Sequence, residues 1–147
     1  MIRVRQATAD DRRFIVPTWV RSFADYAPKQ GCGSRAKVLR AHWRIVDAIL
    51  DNPETRTMVL CSEDSERTLH AWASGTADAL HYVYVPPELR GHGFARRVIT
   101  ATLGAYPTAL AVSHPWPRKS PRYRWDPIEL ARAVGVSPDI VTRGAAA

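Results

Sequence analysis

The sequence is short of acid, of cysteine and of long apolar runs, and each shortage excludes something. Fourteen Asp and Glu stand against 21 Lys and Arg, a formal charge of +7 over 147 residues. That excess suits an anionic partner: nucleic acid, a membrane surface or a phosphorylated small molecule would each satisfy it. The only cysteines are Cys32 and Cys61. They form no C-x-x-C pair and make one disulfide at most, which excludes a disulfide-stapled scaffold and points to a reduced, cytoplasmic compartment. No apolar run approaches the ~18 residues of a membrane span, and residues 1–14 hold no leader-like apolar core. No His, Cys, Asp and Glu cluster has metal-ligand spacing, so no metal is expected, and no Ser/His/Asp or Cys/His set is discernible. There is no GxxxxGK[ST] phosphate loop and no GxGxxG opening the first βαβ unit, which sets aside P-loop and ordinary dinucleotide sites.

What is present reads as one globular domain over residues 1–147. Apolar residues make up 46% and charged residues 24%, enough to bury a core and too apolar for a disordered chain. Residues 1–113 carry regular patterning and residues 114–147 form a basic, Pro- and aromatic-rich tail. Ile2 to Arg5 alternates as a half-buried strand does. Thr8 with Asp11 three residues on marks a helix start. Phe14, Ile15, Trp19, Val20, Phe23 and Tyr26 then recur at helical spacing, with a kink or a late start expected at Pro17. Ser34 can cap a second helix, whose apolar face runs from Val38 through His42 and Trp43 to Leu50; Asn52-Pro53 ends it. Three strands are expected at 57–61, 69–74 and 80–85, a helix from Phe94 to Leu103, and a strand at 108–112. Strand–loop–helix–strand over 80–112 is a βαβ unit with parallel strands, and the hairpin spacing before it implies antiparallel neighbours. The expected fold class is therefore α/β: a mixed, mostly antiparallel sheet with helices on both faces. No strand is assigned beyond position 112.

The chemistry-bearing stretch runs from Val83 to Ala95. A buried strand ends at Pro86-Pro87, and a loop holding Gly91 and Gly93 opens a helix. Glycines let the backbone turn tightly and approach a ligand without a Cβ in the way. The first N–H groups of a helix lack intrahelical partners and sit at its positive end, an anion site suited to phosphate or pyrophosphate. The same glycines would equally serve a tight strand-to-helix turn and nothing more.

Arg90-Gly91-His92-Gly93-Phe94-Ala95 resembles the R/Q-x-x-G-x-G/A signature of the GNAT acyltransferases, the Gcn5-related N-acetyltransferase superfamily. Val85-Pro86-Pro87-Glu88-Leu89 looks like that family's V-x-P-x-[YFL] lead-in, and the element order agrees over residues 2–113. The resemblance implies an enzyme moving an acetyl group from acetyl-coenzyme A to a primary amine by direct attack. It implies that the backbone of Arg90, Gly91, His92, Gly93, Phe94 and Ala95 cradles the coenzyme's pyrophosphate. It also implies that Val83 and Val85 contact the donor along a strand that splays from its neighbour. A backbone N–H near Val85 would polarise the thioester carbonyl, and a tyrosine would protonate the leaving thiolate. Tyr123 is the first choice for that acid and Tyr106 the second, although Tyr106 also reads as packing at a helix end. His81 and His114 titrate near neutral pH and are the candidate bases; a strand histidine such as His81 is as readily a hydrogen-bonded structural residue. Asp78 and Glu88 read as solvated turn residues. Dimers are common in the family, so a homodimer is expected of the resemblance.

The charge is local. Residues 86–125 hold seven cations and one acid, +6 of the +7. Arg90, Arg96 and Arg97 surround the signature, where a coenzyme with a pyrophosphate and a 3′-phosphate would sit. Arg118, Lys119, Arg122 and Arg124 interleave with Trp116, Tyr123 and Trp125, a composition that suits an acidic substrate, single-stranded nucleic acid or a strap over the sheet. The tail departs from the family, which adds a helix and two closing strands. Residues 129–141 resemble a helix-turn-helix, with Ala131, Gly135 and Val141 in its small, turn and apolar positions, and equally a short closing helix. The alternative to the enzyme is thus a GNAT-fold nucleic-acid-binding or nucleobase-modifying protein.

Overall fold

The computed structural model describes residues 1–26, 34–107, 110–114 and 123–135. In chain order these form β1 (Ile2–Gln6), α1 (Arg12–Tyr26), α2 (Arg35–Asp51), β2 (Arg56–Ser62), β3 (Leu69–Gly75), β4 (Ala79–Tyr84), α3 (Phe94–Leu103), β5 (Leu110–Val112), β6 (Tyr123–Trp125) and α4 (Pro127–Ala133). The strands make one sheet in sequential order, antiparallel from β1 to β4 and parallel from β4 through β5 to β6. No helix among the described residues is long and apolar enough to cross a membrane.

The helix starts follow from local chemistry. A 3-10 turn at Ala9–Asp11 leads into α1. There the Asp11 carboxylate accepts from the Thr8 N–H at 2.7 Å and the Thr8 hydroxyl at 3.0 Å, satisfying donors that a helix start leaves over. Arg5 of β1 closes on the same carboxylate at 2.6 and 3.0 Å, tying strand to helix. Burial works to raise the Asp11 pKa, but the Arg5 and Thr8 hydrogen bonds outweigh it and hold the carboxyl below its usual 3.8. Ser34 caps α2 by accepting from the Lys37 N–H.

The sheet separates two apolar layers, because successive strand residues point to opposite faces. On one face α1, α2 and the end of α4 bring Ile15, Trp19, Val20, Phe23, Val46, Ile49 and Ala133 against Val59, Trp72 and Tyr82. Trp19 is fully buried and lies 5.3 Å, centroid to centroid, from both Trp72 and Tyr82. On the other face Val98 and Ile99 of α3 cover Leu60, Ala71, Ala73 and Leu80. Arg12 clamps α1 to α2 through Asp47 and Asp51, at 3.0 and 2.6 Å.

Two expectations are corrected. Pro17 does not delay α1, which starts at Arg12 and runs through it. Burial of Ile15, Val16, Trp19, Val20 and Phe23 on one helical face outweighs one missing N–H. The tail does contain a strand: β6 lies parallel to β5, Leu110 opposite Tyr123 and Val112 opposite Trp125. Three residues carry too little alternation to be read; pairing with the β5 backbone makes this strand.

Candidate active site

The β4–β5 ladder is short. Ala79 pairs with Ala111 and Leu80 with Val112, and the Ser113 N–H donates to Leu80 O at 3.1 Å. Among the described residues the ladder ends at that rung, the fork of the sheet, and Ser113 and His114 turn in a bend. A bulge accompanies the end of the ladder. Across β3, Ser74 faces Tyr82 but Gly75 faces Leu80, which leaves His81 as the extra residue. Such an insertion bends and twists its strand. Gly75 permits it, since a Cβ there would come within 2.6 Å of Ala79 O.

The loop after β4 is held by its own side chains. Arg90 Nε donates to Val85 O at 3.1 Å. His92 Nδ1–H donates to Leu89 O and Arg90 O, both at 3.1 Å. Gly91 and Gly93 have φ of +85° and +75°, and a Cβ at either would meet nothing within 4 Å. Backbone conformation, not crowding, therefore calls for glycine, and the space before the loop is open. Arg97 N–H to Gly93 O, 3.2 Å, is the first hydrogen bond of α3. The N–H groups of Phe94, Ala95 and Arg96 thus precede the helical ladder, at its positive end.

Neither a family model nor a curated protein matches the sequence. Among solved structures, a mutant form of the BH1408 protein from Bacillus halodurans overlays with TM-score 0.52 at 14% identity, over 69% of this chain and 73% of that one. The ribosomal-protein-alanine N-acetyltransferase from Brucella melitensis biovar Abortus 2308 overlays at 0.44, with 13% identity, over 69% and 68%. The spermidine N-acetyltransferase from Vibrio cholerae, solved with CoA and spermine, overlays at 0.42, with 18% identity, over 70% and 62%. The chain shares the fold of the first of these structures, and between its parallel strands it carries the R-x-x-G-x-A loop that resembles the GNAT signature.

Within this fold the predicted donor positions are contiguous. Val83 lies near the end of β4 and Val85 just past it, and both pack toward the α3 layer. Residues 90–93 are exposed at the mouth of the loop, with Phe94 and Ala95 half-buried behind them. Arg96 leaves the loop and lies 5.0 Å over the Tyr106 ring, which gives Tyr106 a packing position at the end of α3. Asp78 and Glu88 are exposed, as read.

The two predicted bases come together at the fork, but not as exposed groups. His81 and His114 are each 1% exposed and share Ser113: its Oγ lies 3.0 Å from His81 Nδ1 and 2.8 Å from His114 Nδ1. His114 is enclosed by Trp19, Phe23, Tyr82 and His42, the last with ring centroids 5.0 Å apart. Burial lowers His81 from 6.5 to about 4 and does the same to His42. Burial also holds His114 well below 6.5, assisted by His42 and His81 and opposed by a hydrogen bond to the His81 backbone. All three rings are neutral at pH 7. The expectation of bases titrating near neutrality is thereby corrected: removal from water penalises the imidazolium.

Tyr123 does not join them. It stands opposite Leu110, at the closed end of the β4–β5 pair, and packs on the α3 face. Ser113 lies three residues further along β5, so the register sets Tyr123 apart from the group formed by His81, Ser113 and His114. Of the four tail cations, Arg118, Lys119 and Arg122 lie outside the described residues; Arg124 is exposed on β6 beside Trp125. The second half of the helix-turn-helix resemblance, with Val141, and Cys32 also lie outside; Cys61 is a buried free thiol. Among the described residues no group of three or more His, Cys, Asp or Glu is placed to hold a metal ion. Sequence reasoning missed Ser113 and His42. The signal was there: three of the five histidines fall on apolar faces or strand ends, and a serine adjoins one of them.

Proposed function

We propose that this chain is an N-acyltransferase that moves an acetyl group from acetyl-coenzyme A to a primary amine by direct attack. The observation that carries the reading is the end of the β4–β5 ladder at Leu80 and Ser113, ahead of a loop whose two left-handed glycines face open space. In this reading the strands part there and offer a free edge to an extended amide-containing arm, and the loop offers backbone N–H groups to a diphosphate.

In this reading the pyrophosphate rests on the backbone of Arg90 to Ala95, with His92 and the Arg90 side chain shaping the loop rather than meeting the ligand first. Val83 and Val85 present backbone groups to the pantetheine arm. The amine nitrogen attacks the thioester carbon, the C–S bond breaks, and the nitrogen loses a proton. A strand N–H past the fork stabilises the oxygen as charge develops on it. His81 and His114 receive the proton as neutral rings, a role their burial permits only if the proton does not rest there. The nucleic-acid and nucleobase-modifying alternatives rest on the four tail cations, and no contact among the described residues favours them over the forked site. The test is thiol release from acetyl-coenzyme A against a panel of aliphatic, aromatic and peptide amines, with product confirmed by mass. Release matched by N-acetylated amine supports the reading; no acetylated amine across the panel at saturating donor opposes it.

A further inference from the structure

The helices α1 and α2 run antiparallel and are bridged near both ends. Arg35 meets Asp25 at 2.9 Å, and Arg12 meets Asp47 and Asp51 at 3.0 and 2.6 Å. Together the two helices hold seven Lys and Arg against three acids, a local +4, and all three acids are taken up in those bridges. Between the bridges lie Arg21, Lys37, Arg40 and Arg44, all exposed, and no acid. Among the described residues none of these four has an ion-pair partner, whereas Arg12, Arg13 and Arg35 of the same helices each have one. Lys37, Arg40 and Arg44 follow one another at i, i+3 and i+7, so they share one side of α2 and span about 10 Å of it. Like charges at that spacing repel, and an anion along the row would relieve the repulsion.

Trp43 stands in the same surface. It is 46% exposed and lies three residues past Arg40, a neighbouring position on a helix. Apart from Trp43, the large hydrophobics exposed among the described residues are Met1 and Trp125, on neither of these helices. A row of cations suits the phosphates of an anionic polymer. A membrane would meet the charge, but interfacial binding grows with buried apolar area, and Trp43 supplies one side chain. An acidic peptide would answer the charge and leave the ring unused. A nucleic acid uses both, its phosphates on the cations and a base stacked on the indole. A duplex keeps its base faces inside its own stack, so the strand that fits is single.

We propose that the outer surface of the α1–α2 pair docks single-stranded nucleic acid, the backbone running along Lys37, Arg40 and Arg44 with Arg21 beside it, and one base on Trp43. This surface is separate from the cations of residues 86–125, and it stands whether or not the chain transfers acetyl groups. Anisotropy of a labelled oligothymidylate about 12 nucleotides long, titrated with the full chain at several salt concentrations, tests it. Binding that weakens with salt is expected, tighter than to the same strand in a duplex. Arg40→Gln with Arg44→Gln removes two phosphate contacts and should make the slope of log K against log salt shallower by about 1.4. Arg56→Gln with Arg67→Gln removes the same charge from exposed positions elsewhere and should leave the slope unchanged. Trp43→Ala should weaken binding about 5- to 100-fold. Should Trp43→Ala not fold, Trp43→Leu decides, because it keeps an apolar side chain and has no ring to stack on. No binding at low salt, tighter binding of the duplex, an equal effect of both arginine pairs, or full affinity without the indole overturns the proposal. So does binding to phosphatidylserine vesicles that the Trp43 variant abolishes while the oligonucleotide does not bind, which would make the surface a membrane contact.

Discussion

Lowering the pH from 7 to 5 should cost this protein much of its stability, and the cause is the buried histidines rather than the carboxylates. His42 and His81 are held at about 4 in the folded chain, against 6.5 when exposed. Between those values the unfolded state binds more protons than the folded one, so stability rises with pH and is lost as pH falls through 6.5 toward 4. At pH 5 each exposed histidine is nearly fully protonated and each buried one nearly bare, so each weakens the fold by about 2 kcal/mol relative to pH 7, or about 4 kcal/mol for the pair. His114 acts in the same direction. Against a typical total of about 5–15 kcal/mol, the loss is large. Urea titrations at pH 7, 6 and 5, followed by fluorescence of the buried Trp19 and Trp72, measure it. The slope near pH 5 should be at least about 2 kcal/mol per pH unit, and His42→Leu should make it shallower by about 1 kcal/mol per unit. A flat profile from pH 7 to 5, or a His42→Leu profile parallel to wild type, would refute the reasoning.

Other perturbations have outcomes set by local geometry. Asp11→Asn removes the carboxylate shared by Arg5 and Thr8 and should cost about 2 kcal/mol at pH 7 in the same titration. Because the Asp11 pKa is depressed, that difference should persist down to about pH 4 and vanish only as pH falls through its folded value. Gly75→Ala forces a Cβ against Ala79 O at the bulge and should lower stability by about 1–3 kcal/mol. A variant as stable as wild type would mean that the bulge is not constrained there. His92→Ala removes the tie to the Leu89 and Arg90 carbonyls on an exposed loop. It should leave stability within about 0.5 kcal/mol while weakening acetyl-coenzyme A binding measured by calorimetry; unchanged affinity would show that the loop keeps its shape without the ring.

The long elements were legible because their patterns are long. Val38 to Leu50 and Phe94 to Leu103 repeat at helical spacing over several turns, and the structure keeps both helices within a few residues of the reading. The loop was legible through glycine spacing after a proline pair, since backbone conformation there depends on residue type alone. What was not legible depends on pairing between distant segments. The bulge at His81 is invisible to alternation, because the extra residue is defined by its β3 partners. β6 exists through its hydrogen bonds to β5. The histidines were visible as residue types, but their neutrality follows from the cover that Trp19, Phe23 and His42 provide, and that cover is a tertiary fact.

Calorimetry with acetyl-coenzyme A, on wild type and on Gly93→Trp, tests the central claim most directly. At Gly93 an added Cβ meets nothing within 4 Å apart from its chain neighbours. The left-handed backbone there costs a non-glycine residue about 1–2 kcal/mol, so retention of the fold is checked by circular dichroism. Saturable one-site binding by wild type, abolished in a folded Gly93→Trp, is the result predicted for a pyrophosphate held at the start of α3. No binding by wild type, or undiminished binding by the variant, would contradict it.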